Sequence, residues 1–182
     1  MLKMLNEFKE GQMRDVIYIY SAVGHLRKEI VQYLRNVSTY QLAPGPSARL
    51  FAFTAMVNDI GSIGKQIVDI LYLLKDRADR KIYFSQAAND EMEEITRLVA
   101  QNMRYAGELI ENYYQEKAEL VFSTEEKIDA TVKASRERHF VRYCGKECHA
   151  ESSPIFIEIL IHLERISDHC QNIAEYMADL KE

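Results

Sequence analysis

Turn-forming residues are scarce: the 182-residue chain has 7 Gly and 3 Pro. That is too little punctuation for a many-stranded β fold and favours a few long helices. Long apolar runs are missing as well. The longest, residues 155–161 and 70–74, fall well short of the ~18 residues of a spanning helix, and Glu158 interrupts the first. The chain itself is not expected to cross a membrane. No apolar stretch follows a basic start, because residues 1–11 are polar at every second or third position, so no secretory leader is expected. The three cysteines, Cys144, Cys148 and Cys170, cannot all pair with one another, and a reducing, cytoplasmic compartment is expected. An excess of positive charge is also absent. A formal net charge of -5 with interspersed signs argues against nucleic-acid binding, which normally needs a basic face. The densest basic stretch, residues 133–142, holds Lys133, Arg136, Arg138 and Arg142 around Glu137 and reads as a solvated helix face rather than an anion site.

What is present is globular: 47% hydrophobic and 28% charged residues. Apolar residues recur at helical spacing almost throughout. Val16, Ile19, Val23, Leu26, Ile30, Leu34 and Val37 predict a first helix over residues 3–40. The APGPS segment at 43–47 ends it, since proline disfavours helix on its N-terminal side. A second helix over 47–76 carries Phe53, Met56, Val57, Ile60, Ile63, Ile67, Ile70 and Leu74, and the charged run at 75–81 marks a boundary. A third, of ~35 residues, starts near Ser85 with Met92, Ile95, Val99, Met103, Ala106, Ile110 and Tyr113 inward. Ser123 and Glu126 read as a capping box opening a fourth helix that runs to about Tyr143. Pro154 is placed at the first position of a fifth helix, where its missing N–H costs nothing.

The fifth helix has the sharpest seam, with Phe156, Ile159, Leu163, Ile166, Cys170, Ile173, Met177 and Leu180 alternating by three and four. Helices two and five repeat each other. Phe53 and Phe156 lie 103 positions apart, and the same shift carries Met56 onto Ile159, Ile60 onto Leu163, Ile63 onto Ile166, Ile67 onto Cys170 and Ile70 onto Ile173. The expected fold is therefore all-α: a duplicated antiparallel helical bundle of about five long helices, its first repeat incomplete. Residues 1–80 would form a degenerate two-helix repeat and residues 81–182 a complete three-helix one.

Two pairs of acids share one spacing. Glu164 and Asp168 are four apart on helix five, so both carboxylates leave one face, which Asn172 and Glu175 continue. Glu125 and Asp129 repeat the spacing on helix four. On neighbouring helices, two such pairs would set hard oxygen donors around one space, which suits a divalent or trivalent cation. Equally spaced surface acids beside Arg or Lys would look the same. His162 and His169 flank that face, either solvated or orienting a ligand. Cys144, Cys148, His149 and His139 lack the paired Cys-x-x-Cys spacing of a zinc site. No Glu-x-x-His, nucleophile elbow or phosphate-cradling glycine loop occurs, which disfavours an enzyme.

The run HLERISDHCQNIAEYM resembles the signature of the phosphate-uptake regulator (PhoU) family, whose repeats carry Leu-Glu-Arg-Ile-(Gly/Ser)-Asp-His followed by Asn-Ile-Ala-Glu in the last helix of a three-helix bundle. Glu164, Arg165, Ile166, Asp168, His169, Asn172, Ile173, Ala174 and Glu175 all match, and Arg138 and His139 fit as well. The resemblance covers residues 85–182 as one repeat. It implies that Glu164 and Asp168, with Glu125 and Asp129 on the preceding helix, bind iron, manganese, magnesium or calcium. His169, Asn172 and Glu175 would orient those ligands. The first repeat departs from the pattern: Gly61 and Lys65 stand where the second has Glu164 and Asp168, and Tyr20 and Gly24 where it has Glu125 and Asp129. That half is expected to keep the fold and lose the metal. The function implied is a regulatory domain, not an enzyme, that controls phosphate transport at the inner face of the membrane. Its partner would be a phosphate transporter, a sodium/phosphate cotransporter-like protein in one variant, whose polypeptide could include this domain as its tail. The rivals are a structural oligomerising bundle without metal and a metal-dependent carboxylate-bundle enzyme. The two-helix first half leaves an apolar stripe uncovered, so a homo-oligomer is expected.

Overall fold

The computed structural model describes residues 8–40 and 42–181, which form five helices: α1 (Glu10–Ser38), α2 (Pro44–Asp79), α3 (Gln86–Glu111), α4 (Gln115–Cys144) and α5 (Ser152–Asp179). Among the described residues there is no strand. The start expected for the first helix at residue 3 lies outside them. No helix among them is long and apolar enough to cross a membrane.

Local chemistry sets the ends. Pro44 is the first residue of α2 and Pro46 the third, both within the turn whose N–H groups have no intrahelical acceptor, so α2 begins three residues earlier than the prolines suggested. Pro154 likewise sits at the third position of α5, not the first. Ser85 caps α3, its side chain accepting from the Ala88 N–H at 3.3 Å. Two helices stop through the same device: Lys81 (φ 53°) and Lys146 (φ 60°) turn left-handed, and the next N–H reaches back to the Arg77 and Arg142 carbonyls at 2.9 Å.

The break between α3 and α4 falls at residues 112–114, not at Ser123. Asn112 leaves α3 in an extended conformation, and α4 starts at Gln115. Ser123 lies inside α4 with its hydroxyl donating to the Leu120 carbonyl at 3.3 Å, so the expected capping box does not form. The reason is the apolar stripe. Ala118, Val121, Ile128 and Val132 are buried on one face that runs unbroken past the exposed Ser123, and burying it outweighs a local cap.

Helices α3, α4 and α5 pack on one another as a three-helix bundle, while α1 and α2 form a hairpin whose α2 lies along α5. The α5 seam is the centre of the core: Phe156, Ile159, Leu160, Leu163, Ile166 and Cys170 are fully buried. Opposite them α2 buries Met56, Ile63, Ile70, Leu71 and Leu74, and α1 buries only Met13. Two polar contacts expose the duplication. His169 Nδ1 meets Asp59 Oδ1 at 2.7 Å, and His162 Nδ1 meets Gln66 Oε1 at 2.5 Å. A shift of 103 positions turns one pair into the other, as a two-fold axis between antiparallel α2 and α5 requires.

Candidate metal centre

Between α4 and α5, one carboxylate oxygen from each of Glu125, Asp129 and Asp168 lies within 4.8 Å of the others. Among the described residues this is the one such grouping of His, Cys, Asp and Glu, so Cys144, Cys148, His149 and His139 do not converge. Glu125 and Asp129 are one turn apart on α4, and the antiparallel α5 brings Asp168 opposite them. Val121, Ile128 and Val132 on one side and Ile166 and Ile173 on the other pin the two helices, so the acids cannot drift apart without unpacking the core. The strain is electrostatic. Burial, then the charges of Asp129 and Asp168, push the Glu125 carboxyl up to about 7. Burial, then Asp129 and Glu164, raise Asp168 above its ordinary range. Glu125 is half-buried and Asp129 and Asp168 are exposed, and three mutually repelling hard oxygen donors form a set that fits a hard cation.

Glu164, the fourth acid expected here, is engaged elsewhere: it forms an ion pair with Arg136 of α4. His169 and Asn172 turn from this face toward α2, where both meet Asp59, at 2.7 and 3.5 Å. His162 is likewise tied to Gln66 and half-buried, not solvated, and burial lowers its pKa. Glu175 is exposed and accepts from Gln171 at 3.1 Å. In the first half Lys65 pairs with Asp69 at 2.5 Å. Arg27 lies over Gly61 and Tyr20 over Gly64, so close that an added Cβ would stand 2.6 and 2.8 Å from them. Glycine there lets α1 approach α2, and side chains fill the space.

The basic stretch at 133–142 is not the solvated face expected of it. Lys133, Glu137 and Arg138 are exposed, but Arg138 and the nearly buried Arg142 are committed to a carboxylate. Arg138 donates to Glu91 of α3 at 2.6 Å, Arg142 donates to both Glu91 oxygens at 2.9 and 2.7 Å, and Ser135 adds a bond at 2.9 Å. Burial opposes the Glu91 charge, but the bonds from Arg142, Arg138 and Ser135 outweigh it and hold the carboxyl below its ordinary range. Beside this network His139 is buried, stacked on Phe156 at 4.6 Å, with Nε2 2.5 Å from the Ser153 hydroxyl. Burial, then Arg142, depress its pKa. Sequence reasoning missed Glu91. The available signal was its place on the α3 stripe with Ala88, Ile95 and Leu98, facing an α4 stripe that turns from apolar to Ser135, His139 and Arg142. The three cysteines are free, and burial pushes the Cys170 thiol up to about 12.

Residues 92–177 match the PhoU domain, a span that holds all four acids and Arg136. Nearly the whole chain superposes on PhoU from Pseudomonas aeruginosa, with a TM-score of 0.87 at 21% sequence identity, covering 99% of this chain and 86% of that one. At that identity the likeness establishes a shared fold. No curated protein matches the chain.

Proposed function

We propose that this chain, which carries a PhoU domain over residues 92–177, regulates phosphate transport rather than catalysing a reaction. It would act at the cytoplasmic face of the membrane by contacting a phosphate transporter, separate or joined to it in one polypeptide, the sodium/phosphate cotransporter type included. The observation that carries the reading is the domain match itself, spanning acids of which three converge between α4 and α5. We assign a metal centre to Glu125, Asp129 and Asp168, with Glu164, one turn from Asp168 on α5, as a fourth ligand if it leaves Arg136. His169 and Asn172 are left to hold α5 against Asp59 of α2, and Glu175 stays exposed beside Gln171. A bound cation would neutralise the repulsion among the carboxylates and so fasten α4 to α5. Iron, manganese, magnesium and calcium all suit oxygen donors. The domain limits 1–80 and 81–182 are proposed as a division into repeats, since α2 and α5 share one core.

The test is phosphate uptake in cells lacking the gene. Complementation with the wild-type chain is expected to restore normal control of uptake, and complementation with Asp129→Asn/Asp168→Asn is not. If deletion leaves uptake unaltered at both low and high phosphate, the regulatory reading is wrong. A second reading, a structural oligomerising bundle, is favoured by the apolar residues exposed on the first half, Phe53 and Ile60 among them. Self-association is proposed in either case.

A further inference from the structure

Helix α1 carries two faces. Tyr20 and Arg27 lie close over Gly64 and Gly61 and mark the face against α2. About 100° round the helix runs a second stripe. There Val16, Val23, Ile30 and Val37 alternate with Ile19, Leu26 and Tyr33 by three and four, the heptad spacing of a seam between two helices. Ile19, Leu26, Ile30 and Tyr33 are exposed, and Val23 and Val37 are half-buried. The second half shows what covers such a stripe. Tyr20 and Gly24 stand where α4 has Glu125 and Asp129, and the same shift sets Ile30, Tyr33 and Val37 against Ser135, Arg138 and Arg142. Those three side chains hold Glu91 of α3. The exposed stripe of α1 is thus the counterpart of the α4 face that α3 covers, with apolar residues in place of the polar network. On α2, Phe53 and Ile60 open onto an apolar groove with Met177 and Leu180 of α5. The seat left open is that of a helix running antiparallel to α1, as α3 runs to α4.

The occupant must bring an apolar stripe of the same spacing, and among the described helices α1 is the one that exposes such a stripe. We propose that α1 of a second copy fills the seat, antiparallel to the first α1, so that two α1–α2 hairpins close a four-helix bundle about a two-fold axis. The inference rests on the self-association proposed above and names the contact that makes it. A two-fold axis uses the same surface twice, so one contact covers the open stripes of both copies. The stripe holds no charged residue, and Lys28 and Arg35 fall on the opposite side of α1, where they stay in water. At their exposed fractions, Ile19, Leu26, Ile30, Tyr33, Phe53 and Ile60 offer roughly 600 Å2 of side-chain surface per copy. Two copies would bury about 1,200 Å2, the lower bound of a stable, specific interface.

The experiment is sedimentation equilibrium on the full chain, with circular dichroism on each variant. Wild type is expected as a dimer and nothing larger. Leu26→Asp/Ile30→Asp should weaken association at least about a hundredfold at unchanged helix content, because it sets charge at the centre of the contact. Tyr72→Asp, at an exposed aromatic off the stripe, should associate as wild type does. Ile19→Ser/Tyr33→Ser replaces the aspartates if they lower the helix content. A spin label on Glu10→Cys, in a Cys144→Ser/Cys148→Ser background with Cys170 buried, reads the orientation. Antiparallel helices set the two labels about 40 Å or more apart, and parallel ones about 20 Å or less. A dimer that survives both stripe variants would overturn the inference and leave self-association through another surface standing. The short label distance, or species larger than a dimer, would overturn the two-fold antiparallel contact. A wild-type monomer at high concentration overturns the inference and self-association together, and cosedimentation of that monomer with anionic phospholipid vesicles would give the stripe to a lipid surface instead.

Discussion

Glu125 sits half-buried between Asp129 and Asp168, and its carboxyl titrates at about 7 where an unfolded one titrates at 4.5. Between those values the folded chain keeps a proton that the unfolded chain has released. The Glu125 contribution to the stability of the metal-free protein should therefore be greatest below about 4.5, fall as pH rises through this window, and level off above about 7, against the opposite slope of His139 and His162, whose pKa values burial lowers. Urea unfolding at half-unit steps from pH 4.5 to 8 should show wild type losing stability relative to Glu125→Gln as pH rises. Parallel profiles would remove Glu125 as the source. Lys146 makes a different residue-scale prediction. A side chain at φ 60° is strained, so Lys146→Gly should stabilise the chain by about 1 kcal/mol, read as a shift in the denaturation midpoint. At this scale the acids were legible because a four-residue spacing fixes a helix face. The engagement of Glu164 was not, since spacing does not say which rotamer an opposing arginine will capture. The same limit hid the pairing of His169 with Asp59, a contact between residues 110 positions apart.

At the scale of the helices, α3 and α4 are joined by the Glu91 network as well as by apolar packing. Glu91 and Arg142 have side chains only 10% and 12% exposed, so deleting the carboxylate strands a nearly buried guanidinium. Glu91→Ala should cost about 3 kcal/mol, the scale for breaking a buried pair by removing one partner. Thermal unfolding checks it, and a loss under 1 kcal/mol would mean that water reaches Arg142 freely. Helix existence was legible throughout, because each amphipathic stripe persists for many turns. Helix ends were less so. Ser123 and Glu126 have the right letters for a cap but are exposed residues inside a helix whose buried stripe continues past them on the other side, and the real break at Asn112 has neither Gly nor Pro to announce it. Pro154 shows a milder form of the error. Any of the first-turn positions tolerates proline, so the residue marks the end of a helix to within a turn.

Across the whole molecule, the two halves carry one seam with unequal cover. Phe156 and Leu163 of α5 are 0% exposed, and their counterparts Phe53 and Ile60 of α2 are 46% and 37% exposed. On α1, Ile19, Leu26, Ile30 and Tyr33 are exposed too. The second half has α3 to close its seam, and the first, among the described residues, has no third helix of its own beside α1 and α2. That apolar surface is expected to bring copies of the chain together, as the repeat pattern implied. Sedimentation equilibrium should find a dimer or larger species in wild type and a shift toward monomer in Phe53→Ser/Ile60→Ser. A wild-type monomer at high concentration would contradict the expectation. The duplicated architecture was legible because the α2 and α5 seams align residue for residue. The two-fold pairing of Asp59–His169 with Gln66–His162 needed the fold, since only the packing of α2 on α5 decides which polar positions meet.

Melting the chelator-treated chain with and without Mn2+ tests the proposed cation between α4 and α5 most directly. A ligand that binds only the native state raises its melting temperature. Wild type and Lys65→Ala should both melt higher with Mn2+, Lys65 being outside the centre, and Asp129→Asn/Asp168→Asn should not respond. An unchanged melting temperature for wild type across Mn2+, Mg2+, Ca2+ and Fe2+, or an equal rise in the double variant, would contradict it.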